Sequence, residues 1–374
     1  AEGMTAADEI NLTANLSKLA GELSVINNDK LEASIVNGKV VLAAKPVAKI
    51  GEQKYSTIKD AVAAVQEGET ITILAGTHSE GTIKLPATLK NVTINGAEGA
   101  ELKDMTISAA DGNAYSYIGL TFDGITFDNS RILLTGWRNG DEIIENLAVT
   151  NCTFKNLNDN TNTAPIHINK DASEAVNGFT FTNNVIDGAT GGSKSGIYAQ
   201  VTGAVKVENN IINNVSFRPY VIHVTTDDGI ADNFTVKGNT FSGSAVGRAQ
   251  GLGNNAEGTD NVNLVVSNNI FKGITEAQQI CYWNFNPEKT TADLSKNYYD
   301  IDIVANPGKI YFNSPAADNY ALRDMNVFPI YTVLNENGTI NTESAFTPKF
   351  YIATVGENSY ETLSEALAAA TEGA

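Results

Sequence analysis

A short unit built around an asparagine recurs through the middle of the chain, and nothing else in the sequence limits the fold so sharply. Phe179 to Phe181 is followed by Asn183-Asn184 and Ile186, Val205 to Val207 by Asn209-Asn210 and Ile212, and Phe234 to Val236 by Gly238-Asn239 and Phe241. Leu264 to Val266 then precedes Asn268-Asn269 and Phe271, and Leu294 precedes Asn297 and Tyr299. Each unit reads apolar, two polar or small residues, Asn, any residue, apolar. The asparagines at 184, 210, 239, 269 and 297 lie 26, 29, 30 and 28 residues apart. That is irregular for a fixed-length repeat and natural for stacked coils whose loops vary in length.

Two earlier units keep the apolar frame without the asparagine: Phe122, Ile125, Phe127 and Val149, Cys152, Phe154. Cys152 therefore occupies the ladder position and is expected to face the interior as a small apolar residue. Cys281 lies several coils away, and strands spaced about 4.8 Å apart put the two sulfurs beyond disulfide reach, so both are expected to be free thiols. Asparagine suits the repeated position because it tolerates the left-handed backbone of a sharp turn and hydrogen-bonds locally. A stack of buried amides can also satisfy one another from coil to coil.

In these units the chain resembles the right-handed parallel β-helix of the pectin-lyase-like superfamily, whose short turn often carries an Asn ladder. The resemblance covers roughly residues 69–315 and implies an all-β solenoid. Composition bounds what it can do. The chain has 43 acidic and 25 basic residues, a formal charge of −18 and no Lys/Arg run, so the counterion-release attraction of a nucleic-acid binder is missing and no nucleic acid is expected as partner. No apolar stretch reaches the length of a membrane span, and no signal-peptide pattern opens the chain. This segment is not expected to insert into a membrane.

The ends carry a second pattern. Residues 48–68 have Ile58, Ala61, Val62 and Val65 at helical spacing, Ser56 or Thr57 as N-cap and Gly68 as the stop, which predicts an amphipathic helix capping the first coil. A related string reappears at an offset of 305: over the twenty positions from Ile50 and Val355 nine are identical, among them Tyr55/Tyr360, Thr57/Thr362 and Gly68/Gly373. Residues 351–374 are thus expected to open a second similar module, with 316–350 as an extension or linker. Upstream, within 1–47, Leu31 to Ala43 around Asn37-Gly38 reads as a β-hairpin, the tail of a preceding module or part of a small N-terminal domain. The apolar-Gly-Glu start, Tyr-x-Thr and Ala-rich helix resemble modules of large cell-surface proteins of gut bacteria, which implies an extracellular, secreted or surface-attached setting.

In the β-helix family, carbohydrate sites lie on the strand after the longest turn past the ladder. Counting 12 to 15 residues past each ladder position reaches Ile166-His167-Ile168, Ile197-Tyr198-Ala199, Ile222-His223-Val224, Ile280-Cys281-Tyr282-Trp283 and Ile310-Tyr311-Phe312. Strand alternation turns the central residues outward, so His167, Tyr198, His223 and Tyr311, with Trp283, are expected to form one exposed row whose ring faces suit a sugar. The expected partner is a polysaccharide, a surface glycan or a surface protein. For metal binding by His167 or His223 no third or fourth ligand is evident. Resemblance to lyases of this fold implies an Arg or Lys base near calcium-binding carboxylates, for which Lys194, Arg218, Asp227 and Asp228 stand on this flank, with His223. A lyase would bring calcium as cofactor, and a glycoside hydrolase would need two suitably spaced carboxylates, for which Asp171 and Asp227 are the pair. The motifs completing either pattern are missing, so the leading expectation is an adhesin-like module that binds without catalysis, with a polysaccharide lyase or glycoside hydrolase as the alternative.

Overall fold

Apolar residues at every second position give strands with one buried row, and the repeat places that row at the same height in every coil. The computed structural model describes residues 9–10, 31–36, 39–111, 115–135, 142–169, 176–224, 234–242, 248–251, 262–272, 278–279, 290–293, 298–299, 310–311, 353–355, 358–360 and 363–370. Their central part is a parallel β-solenoid. A coil such as Thr93–Gly96, Ala100–Lys103 and Thr106–Ser108 runs through three strands, and each pairs in parallel with its counterpart in the coils before and after. The strands that follow the ladder turn, from Gly76–His78 to Tyr298–Tyr299, make a nine-stranded parallel sheet.

The interior is a set of columns. Ile94, Phe122, Val149, Phe181, Val207 and Val236 succeed one another in register, all 0% exposed. Beside them run Leu102, Phe127, Phe154, Ile186 and Ile212, with the rings of Phe127 and Phe154 stacked at 4.5 Å. Burying each such side chain stabilises the fold by roughly 1.5–3 kcal/mol. Truncating one, as in Phe154→Ala, costs about 3–5 kcal/mol because neighbours held in two adjacent coils cannot close the cavity.

The asparagine ladder is present, with its tasks divided differently from the sequence reading. Asn184, Asn210, Asn239 and Asn269 are buried. The Oδ1 of each of Asn210, Asn239 and Asn269 accepts from the backbone N–H of the ladder residue one coil back, at 2.8, 2.8 and 3.0 Å. The Nδ2 of Asn210 donates to Phe181 O at 2.8 Å, and that of Asn239 to Val207 O at 2.8 Å. The left-handed backbone lies one residue earlier, at Asn183, Asn209, Gly238 and Asn268, with φ of 57°, 57°, 69° and 56°. Cys152 holds the ladder place as expected: it is buried and unbridged, its N–H donates to Asn184 Oδ1 at 2.8 Å, and burial pushes its thiol up to about 12. Asn297 and Cys281 lie outside the described residues.

The leading end is closed by a hairpin and a helix. Ala48–Ile50 pairs antiparallel with Gln53–Tyr55 and, on its other side, with the first solenoid strand Thr70–Ile73, which covers an edge that would otherwise invite another chain. Helix α1, Ile58–Ala64, buries Ile58, Ala61 and Val62; Thr57 is its N-cap, Oγ1 accepting from Asp60 N–H at 3.0 Å. The helix ends at Ala64, four residues before Gly68. Val65, in extended conformation, is its C-cap and is itself buried, so packing against the solenoid ends the helix before glycine is reached. The Leu31–Val36 and Lys39–Ala44 strands form the expected hairpin across positions 37–38. A second hairpin, Ala353–Val355 with Asn358–Tyr360, leads to helix α2, Leu363–Ala369. Among the described residues no helix is long and apolar enough to cross a membrane. The extension at 316–350 lies outside the described residues.

Candidate functional site

The face read as a binding surface is set by the turns that follow the ladder sheet. After Thr153–Leu157 the chain makes a long turn to Ile166–Asn169, and after Val185–Ala189 another to the strand that begins at Ile197. The second turn lies on the first. Ser193 N–H donates to Asn162 Oδ1 at 2.7 Å, and Thr190 N–H to Leu157 O at 2.8 Å. The contact admits no side chain at Gly191, φ +77°, where an added Cβ would stand 2.3 Å from Asp159 O.

His167 and Tyr198 meet on adjacent rungs. Their inward neighbours Ile166, Ile168, Ile197 and Ala199 are 0% exposed, and the two half-buried rings stack at 4.8 Å and 18°. The faces they turn to one another are closed to a ligand, so a sugar cannot lie between them and the pair offers its edges. Ala164 N–H donates to His167 Nδ1 at 3.4 Å, which leaves the proton of the neutral ring on Nε2. Burial, with the Arg131 charge nearby, pushes the imidazole down to about 4. His167 is therefore neutral at physiological pH and is no proton shuttle there.

His223 does not continue this row. The rung after Tyr198 is Val221, which is buried, while His223 lies opposite Gln200 and Gln250, two residues along. Fixed counting from the ladder fails because the turns differ in length: Ala189 pairs with Val215, an offset of 26, but Ile197 pairs with Tyr220, an offset of 23. The turn at 216–219 is three residues shorter than the one at 190–196. Tyr311 belongs to Ile310–Tyr311, which pairs with Gln278–Gln279. Trp283, Asp171, Asp227 and Asp228 lie outside the described residues.

Lys194 is a staple. Its side chain is 0% exposed, and its ammonium donates to Asp159 O, Gly191 O and, at 2.9 Å, Thr190 O, with Asp159 Oδ1 at 3.0 Å. Desolvation, then the Arg131 charge, lowers its pKa. An ammonium so enclosed ties two turns together and is not placed to take a proton from a polymer. Arg218 lies with its guanidinium carbon 5.1 Å from the centre of the Phe217 ring, a cation–π contact.

Sequence reasoning missed the hub of this cluster. Arg131 pairs with Asp159 Oδ2 and donates to Thr161 Oγ1 at 3.2 Å. Asp159 Oδ1 in turn accepts from Thr161 N–H at 3.0 Å and from its hydroxyl at 2.6 Å. One signal was readable: Arg131 falls in register with Thr106 and Thr82, so a large cation replaces a run of threonines just where the turns lengthen. Among the described residues no group of three or more His, Cys, Asp or Glu side chains is arranged to hold a metal ion.

The arrangement presents a rigid outward row whose charged neighbours are committed to holding the turns. The chain matches no protein-family model, no curated protein and no solved structure.

Proposed function

We propose that the solenoid is a non-catalytic, adhesin-like module, secreted or displayed at the cell surface, that binds a glycan or another surface polymer. The observation that carries this reading is the His167–Tyr198 stack, two half-buried rings held at rung spacing on an outward face. Rings that brace each other lose little side-chain freedom on binding, and their edges can meet a hydroxylated polymer running along the solenoid. Lys194 supports binding over turnover, since of the two base candidates Lys194 and Arg218 the lysine is enclosed and its ammonium is spent on backbone carbonyls. The sequence resemblance to pectin-lyase-like proteins fits a polymer ligand of this kind.

The test is a glycan array probed with the whole chain, in parallel with attachment of cells that carry or lack the module. Binding to a defined glycan class and weakened attachment are expected. The same preparation, incubated with uronate-containing polymers and calcium, is expected to release neither unsaturated products absorbing near 235 nm nor reducing ends. Product release would overturn the reading in favour of a lyase or hydrolase, and a silent array with unchanged attachment would remove the binding role.

A further inference from the structure

Residues 353–355, 358–360 and 363–369 repeat, position for position, the element that closes the leading end of the solenoid. Ala353 lies opposite Tyr360 and Val355 opposite Asn358, as Ala48 lies opposite Tyr55 and Ile50 opposite Gln53. Helix α2 begins and ends 305 positions after α1, at Leu363 and Ala369 against Ile58 and Ala64. The hydrogen bond after the last turn recurs too, from Val65 N–H to Ala61 O at 3.1 Å and from Ala370 N–H to Ala366 O at 2.9 Å.

One property differs. Ile58 and Val62 are 0% and 1% exposed, whereas their counterparts Leu363 and Leu367 are 59% and 66% exposed; Ala61 and Ala366 are buried in both. The cause lies in what each helix rests on. Among the described residues, helix α1 packs on its own hairpin and on the solenoid strands Thr70–Ile73 and Thr82–Lys84, and α2 packs on its own hairpin. Two large apolar side chains one helical turn apart thus stand open where the first copy meets a coil.

We propose that 353–369 is a second solenoid cap, and that its open face takes the leading edge of a parallel β-solenoid coil with the pattern of residues 70–90. The occupant follows from the first copy. A strand like Thr70–Ile73 would pair antiparallel with Ala353–Val355, as Ile73 lies opposite Ala48 and Ile71 opposite Ile50, and the coil's apolar interior would cover Leu363 and Leu367. The first coil also supplies Glu80, whose carboxylate accepts from Ile58 N–H at 2.7 Å and Lys59 N–H at 3.1 Å.

The experiment replaces residues 48–68 by the sequence of 353–373 within the whole chain. The graft is expected to melt in one transition within about 5 °C of the parent, a change on the order of 1–2 kcal/mol. Leu363→Asp and Leu367→Asp, carried into the graft, are expected to lower that midpoint by roughly 10 °C or more, since two carboxylates would be buried without partners. The same two substitutions in their natural place leave the solenoid transition unmoved. A graft that melts like a chain lacking 48–68, or one indifferent to the two aspartates, would overturn the proposal.

Discussion

Two adjacent residues divide the work at each ladder turn. The first takes the left-handed backbone and the second buries its amide, so their substitutions should behave oppositely. Asn210→Ala removes the acceptor of Asn184 N–H and the donor to Phe181 O, leaving two buried groups unpaired. Denaturant unfolding should register a loss of roughly 2–5 kcal/mol. Asn209→Gly keeps a residue at ease with φ 57° and should stay within about 1 kcal/mol of the parent. The sequence made the ladder visible because its asparagines recur beside apolar residues, yet it did not say which member of each pair bends the chain. The clue was Gly238-Asn239, where glycine stands first and the amide second. His167 gives a pH signature at the same scale. Its folded ring, at about 4, binds a proton less readily than an unfolded histidine near 6.5. The unfolded chain then holds the extra proton between those values, so the contribution of His167 to stability is full above about pH 6.5, falls as pH drops towards 4, and levels off below. An NMR titration should find the ring still neutral at about pH 5.

At the scale of elements, the strands were legible and the turns between them were not. Strand position follows from alternation of apolar residues around the ladder, a local signal. Turn length is set by what each turn rests on, and the three residues separating 190–196 from 216–219 moved His223 off the row it had been counted into. Arg131, Asp159 and Thr161 went unread for the same reason, because their partners are some 30 residues apart in sequence. Lys194→Ala tests the stapled turns. With three carbonyls losing their donor, stability should fall by roughly 2–4 kcal/mol, and amide exchange should accelerate in 158–163 and 190–195 before it does in the ladder sheet. Cys152 provides a contrasting probe. Mass mapping after alkylation of the native protein at pH 8 should find it unmodified, because burial keeps its thiol protonated and shielded.

Across the whole molecule, rungs stacked in register convert a local pattern into a continuous face, and stacked turns decide which outward side chains meet. His167 and Tyr198 are brought together in this way, and their enclosed neighbours hold them there. The most direct test of the binding role is electrophoresis of the native chain through gels that each contain one polysaccharide, beside the His167→Ala/Tyr198→Ala double variant. At least one polymer is expected to retard the parent, the double variant to run as it does in a plain gel, and the polymer to keep its length. Equal retardation of both proteins, or a polymer shortened by the parent, would contradict the non-catalytic binding role.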